Sequence, residues 1–103
     1  NSFDVSSIKK IGIIQSNKTI KINKDSYIGG IEIQFHKDCN ILNSAIDNNW
    51  VIRNYKNKVI LYSSNLKSMK RDFTINFDIF SNISKVIISD KNGYYLKSRI
   101  YKK

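Results

Sequence analysis

The stretch "DFTINFDIF", residues 72–80, decides the fold. Phe73, Ile75, Phe77 and Ile79 alternate with Thr74, Asn76 and Asp78, so an extended chain turns one apolar face inward and one polar face outward. A helix would scatter the same residues around its axis. The period recurs outward in both directions. "GIEIQF" (30–35) sets Ile31, Ile33 and Phe35 on one side, and "TIKI" (19–22) does so with Ile20 and Ile22. "WVIRNY" (50–55) and "KVILYS" (58–63) read as strands joined through Lys56 and Asn57, and "IKKIGII" (8–14) as one more.

"KVIISDKNGYYLKSRIY" (85–101) reads as two strands around Asn92-Gly93, the dipeptide that best accepts the positive φ angles of a two-residue hairpin turn. The resulting pattern is about eight short strands separated by turn residues such as "NKDS" and "SNIS". It predicts an all-β fold, an antiparallel β-sandwich of jelly-roll or immunoglobulin-like type. "SSNLKSMKR" (63–71) is the one stretch suited to a helical turn or long loop, with Leu66 and Met69 at i, i+3 as a plug over an open end.

At 103 residues the chain suits a single sandwich domain over residues 1–103. It begins at Asn1 rather than Met, which fits a processed product or a piece of a longer polypeptide. No apolar run approaches the roughly 18 residues of a membrane-spanning helix. The single Cys39 excludes an internal disulfide. Eighteen Lys and Arg against eight Asp and Glu give a formal charge of +10, which draws anionic partners. The same composition, rich in Lys, Asn, Ile and Tyr and free of Pro, also follows from an AT-rich coding sequence.

No set of residues converges on catalysis. In "FHKDC" (35–39) His36, Asp38 and Cys39 offer mixed metal ligands or a Cys-His pair, but no second His or Cys completes a zinc site. The simpler reading is a strand that ends at Phe35, a corner over residues 36–40, and Ile41-Leu42 re-entering the core. The aspartates fall mostly at strand ends, where Asp serves turns. "YIGGIE" (27–32) leads into a strand rather than a helix, so its glycines suit a bulge or a close backbone approach better than a phosphate loop. The sequons at Asn17 and Asn82 are what an Asn-rich chain produces by chance. No catalytic residue, metal or cofactor is expected.

"KINKDSYIGGIEIQFHKDCNIL" (21–42), "KVILYS", "DFTINFDIF" and "KVIISDKNG" together resemble the cohesin family and its carbohydrate-binding-module relatives, across residues 19 to 96. Gly30-Ile31-Glu32-Ile33 matches the Gly-led strand of that family, Asp38 and Leu42 its corner, Phe73 to Phe77 its later strand, and Ser89 to Gly93 its hairpin. The resemblance implies a sandwich that holds a partner rather than one that catalyses.

Two functions follow. The first is a non-enzymatic module making protein–protein contacts in an extracellular, cell-surface or virion assembly, with contacts at Tyr55, Tyr62, Tyr95, Arg99 and Tyr101, since Tyr and Arg dominate interface anchors. The alternative is nucleic-acid binding through the C-terminal strand. There Tyr95, Lys97, Arg99, Tyr101 and Lys103 would share one face, with Lys102 beside them and Tyr94, Leu96 and Ile100 in the core. Trp50 reads either as a core ring sharing the inward face with Ile52 or as a sugar platform beside Asp47, Asn48 and Asn49.

Overall fold

The computed structural model describes residues 10–103. Ten strands form among them: β1 (Ile11–Ser16), β2 (Thr19–Ile22), β3 (Ile28–Phe35), β4 (Ile41–Ala45), β5 (Trp50–Tyr55), β6 (Lys58–Ser63), β7 (Phe73–Phe77), β8 (Ile83–Asp90), β9 (Tyr95–Leu96) and β10 (Ser98–Lys102). They make two five-stranded sheets, ordered β10-β1-β2-β7-β4 and β5-β6-β3-β8-β9. All pairings are antiparallel except β1 with β10, which run parallel. The all-β sandwich read from the alternation is the fold observed.

The core forms where the inward faces meet. Ile13, Ile20, Ile22, Phe73 and Ile75 of the first sheet and Ile31, Ile33, Phe35, Val59, Leu61 and Ile88 of the second are all buried. Burying each of these side chains contributes about 1.5–3 kcal/mol against leaving it in water. Two edge-on ring pairs join the sheets, Phe35 with Phe77 at 5.0 Å and Trp50 with Phe73 at 5.1 Å. Trp50 is therefore a core residue, and the sugar-platform reading falls away.

Several expectations need correction. β7 stops at Phe77, leaving Ile79 exposed. Asp78 stops the strand: its amide donates to the Asn40 carbonyl (2.9 Å), and its carboxylate accepts the Asn40 amide (2.8 Å). Residues 41–45 form a strand that the alternation did not announce. Leu42 does not re-enter the core but is 66% exposed, because the register slips between Ile41↔Phe77 and Asn43↔Asn76 and bulges Leu42 outward. Ile41 alone packs against the core. Of the expected plug, Met69 is buried, but Leu66 sits at φ 61° just after the Ser64-Asn65 turn and is exposed. Of "IKKIGII", residues 8 and 9 lie outside the described residues, and β1 starts at Ile11.

The hairpin after β8 differs in detail. It closes on Asp90 and Tyr94, the Asp90 amide donating to the Tyr94 carbonyl (2.8 Å), so Lys91, Asn92 and Gly93 form the loop. Only Gly93 is left-handed, at φ 89°, which matches a three-residue loop rather than a two-residue Asn-Gly turn. The two glycines of "YIGGIE" do mark a bulge. The register against β8 shifts between Ile28 and Gly30, and a Cβ on Gly29 would lie 2.8 Å from the Asp90 carbonyl oxygen.

Candidate functional site

Register aligns the outward side chains of the second sheet into rows. One row runs Val51, Tyr62, Gly30, Ser89, Tyr95; the next runs Arg53, Ile60, Glu32, Ile87; the third runs Tyr55, Lys58, Gln34, Lys85. "KVILYS" is apolar on both faces, burying Val59 and Leu61 while presenting Ile60 (38% exposed) and Tyr62 (42%) to solvent. Gly30 and Ser89 have little or no side chain, so Tyr62 and Tyr95 flank a depression of about 210 Å³ floored by Gly30, with Ile60 and Ile87 beside it. The face carries three cations, Arg53, Lys58 and Lys85, against one carboxylate. Glu32 is held in the centre by Gln34 (2.7 Å) and by Lys58 (3.9 Å).

The outer face of the first sheet is different. Its rows hold Ile14, Lys21, Thr74 and Ala45, then Ser16, Thr19, Asn76 and Asn43. Asn76 ties Thr19 and Asn43 together through its amide. Apart from Tyr101 and Ile14 beside its β10 edge that face is mostly polar, whereas the second sheet exposes Tyr55, Ile60, Tyr62 and Tyr95 on one face.

The predicted contact residues divide between these surfaces. Tyr55, Tyr62 and Tyr95 come together on the outer face of the second sheet. Arg99 and Tyr101 lie on β10 in the first sheet, opposite Gly12 and Ile14, with the Arg99 guanidinium 5.2 Å from the Tyr101 ring. Lys97 is the crossover between sheets. The single basic and aromatic ladder that the nucleic-acid reading needs is thus broken at Lys97. Tyr94 is 72% exposed and Ile100 39%, so neither is the core residue that ladder implied, while Leu96 does pack against the core. Sequence reading missed Ile60, Ile87 and Val51. Each sits in a run of consecutive apolar residues, Trp50-Val51-Ile52, Val59-Ile60-Leu61 and Val86-Ile87-Ile88, and that is the signal that hints at them.

The other candidates resolve into structure. β3 ends at Phe35, His36 and Asp38 are exposed, and Cys39 turns into the core. Burial pushes the Cys39 thiol above its ordinary value, and the Asp78 and Asp38 carboxylates add to the push, so it is a protonated, inert side chain. Among the described residues no group of three or more His, Cys, Asp or Glu is placed to hold a metal ion. The aspartates serve turns: Asp25 accepts the Tyr27 amide (2.9 Å), Asp47 that of Lys70 (2.7 Å), Asp72 that of Lys24 (2.7 Å), and Asp90 those of Asn92 and Tyr94 (both 2.9 Å). Each carboxylate accepts the backbone amides that close a loop.

No protein-family model matches the sequence, and neither does any curated protein. Solved structures do. A chain of the type I cohesin–dockerin complex from Clostridium thermocellum matches with a TM-score of 0.50 at 9% identity, covering 100% of this chain and 94% of that one. A non-cellulosomal cohesin from the archaeon Archaeoglobus fulgidus matches with a TM-score of 0.48 at 10% identity, covering 93% of this chain and 86% of that one. The fold is a cohesin-like β-sandwich.

Proposed function

We propose that this chain is a non-enzymatic binding module that makes protein–protein contacts within a larger extracellular, cell-surface or virion assembly. Its contact surface is the outer face of β5-β6-β3-β8-β9. The observation that carries the reading is the alignment of Tyr62, Tyr95, Ile60 and Ile87 around Gly30 on that face, with Tyr55 at its margin. A depression floored by glycine and walled by tyrosines accepts an apolar anchor from a partner, the arrangement in which interface energy concentrates. Arg53, Lys58 and Lys85 set the complementary chemistry: an apolar centre inside an acidic rim. The setting outside the cell has the cohesin-like fold as its support, and one solved structure that matches over the whole of this chain is itself of a protein–protein complex.

A photo-crosslinking side chain placed at position 62, at 87 or at 74 tests this in extract from the native source. Positions 62 and 87 are expected to capture one and the same acidic protein, and 74, on the outer face of the first sheet, to capture none of it. Equal capture from position 74, or no capture from 62 and 87, would overturn the assignment.

A further inference from the structure

β8 has a free edge. It pairs with β3 along its whole length on one side, but on the other side β9 covers only Ile88 and Ser89. Among the described residues no strand covers Lys85, Val86 or Ile87 from that side. The Asp90 amide donates to Tyr94 across the hairpin, so it faces β9. Backbone groups of a strand alternate between its two edges, which turns those of Ile88 and Val86 the same way. Val86 therefore presents one N–H and one C=O to an unoccupied line.

The register shows what left that line. Continuing from Ile88↔Leu96, the hairpin would set Ser98 opposite Val86 and Arg99 opposite Lys85. Instead Ser98 pairs with Ile11 and Arg99 with Gly12 in the other sheet, the Ile11 amide having bonded the Lys97 carbonyl (2.8 Å). Arg99 opposite Lys85 would place like charges on one cross-strand pair, which destabilises a sheet. The departure leaves an open groove of about 320 Å³ lined by Lys85, Val86, Ile87, Ile88, Tyr95 and Leu96. Its walls are apolar on both sides, with one cation at the end where Arg99 would have stood.

We propose that this edge binds an extended acidic peptide segment by strand addition. The peptide backbone pairs with Val86, its apolar side chains meet Val86 and Leu96 on the inward face, and a carboxylate on the outward face stands opposite Lys85. Main-chain bonds to an exposed edge are a recurrent mode of peptide capture, with alternate side chains setting specificity. A carboxylate supplies the charge that Arg99 could not. A second copy of the chain is the wrong occupant, since two formal charges of +10 would meet at the edge. The site lies beside the face proposed above and does not depend on it, because main-chain pairing with Val86 requires none of the side chains grouped around Gly30.

The probe is a capped seven-residue peptide alternating Glu and Val, titrated into isotope-labelled protein and followed by amide NMR. The expected result is a shifted, exchange-protected Val86 amide. Peptide N-methylated on one set of alternate residues loses binding, and peptide methylated on the other set keeps it. The wild type prefers the Glu peptide over a Lys-Val counterpart by about threefold or more, and Lys85→Glu inverts that preference. The proposal fails if both methylated peptides bind alike, if Glu and Lys peptides bind alike, or if millimolar peptide leaves Val86 unperturbed. Shifts confined to Ile60 and Tyr62 would also overturn it, while leaving the face itself standing as a binding surface.

Discussion

Replacing Trp50 with Ala tests how the two sheets are held together. Trp50 is 5% exposed, and its ring meets Phe73 edge-on at 5.1 Å and 77°. Truncating a buried aromatic loses its transfer energy and leaves a cavity, about 3–5 kcal/mol. The indole Nε1 is buried with no hydrogen-bond partner among the described residues, and an unmet donor carries a penalty of about 1–3 kcal/mol in the native state. Removing that donor offsets part of the loss, so the low end, about 3 kcal/mol, is the expected value. A domain of this size holds about 5–15 kcal/mol in all, so Trp50→Ala forfeits a large fraction of it. Trp50→Phe keeps a ring and discards the orphan donor, so it is expected to cost less than about 1.5 kcal/mol. Urea unfolding followed by far-UV circular dichroism measures both without relying on the fluorophore being changed. A cycle with Phe73→Leu isolates the ring pair at about 0.5–1.5 kcal/mol. The reasoning is refuted if Trp50→Ala loses less than about 1 kcal/mol and the wild-type emission is red-shifted and freely quenched. If Trp50→Phe is as damaging as Trp50→Ala, the orphan-donor argument fails even though the core assignment survives.

Gly29→Ala puts a methyl 2.8 Å from the Asp90 carbonyl oxygen and is expected to cost about 1–3 kcal/mol by forcing β3 and β8 apart; an unchanged urea midpoint would contradict the bulge as drawn. Cys39 is buried with its thiol pushed up, so a thiol reagent at pH 8 should label it only as fast as the domain opens, and immediate labelling in native buffer would refute the burial. The Asn40 amide holds the Asp78 carboxyl below its ordinary value, and the Lys24 amide does the same for Asp72. Because the folded-state value is the lower one, this stabilisation is complete above the unfolded aspartate pKa of about 3.9 and is lost as the pH falls through the folded value. Asp78→Asn keeps an acceptor for the Asn40 amide without the charge, so the stability gap between it and the wild type should close on acidification; a gap that is constant with pH counts against the coupling.

The strands were legible wherever one face is buried and the other wet. Phe73, Ile75 and Phe77, and likewise Ile31, Ile33 and Phe35, announce their faces without help from the rest of the chain. β4 was not legible, because "ILNSA" puts only Ile41 against the core and then bulges at Leu42. The change of sheet at Lys97 leaves no mark in a period of two, since alternation records which side a residue faces and not which sheet it joins. The positive φ at Leu66 likewise lies outside what i, i+3 spacing reports. Of the proposed binding face, the sequence offers Tyr55, Tyr62 and Tyr95 as separate anchors. Their convergence, and the part played by Ile60 and Ile87 around Gly30, depends on the registers of β6, β3 and β8, and those are long-range pairings.

The most direct test of the proposed binding face uses the partner captured by the crosslinks at positions 62 and 87, titrated by calorimetry against the wild type, Ile60→Asp and Thr74→Asp. Ile60 stands in the middle row of the exposed face and Thr74 on the opposite sheet. A carboxylate at position 60 replaces an apolar contact and sets a like charge against the acidic rim of the partner, on the order of 2–4 kcal/mol, so Ile60→Asp should weaken binding by about 30-fold to 1,000-fold. Thr74→Asp should stay within about twofold of the wild type. Circular dichroism of both variants confirms that each remains folded. The account is contradicted if folded Ile60→Asp binds as the wild type does, or if Thr74→Asp is the variant that loses the partner.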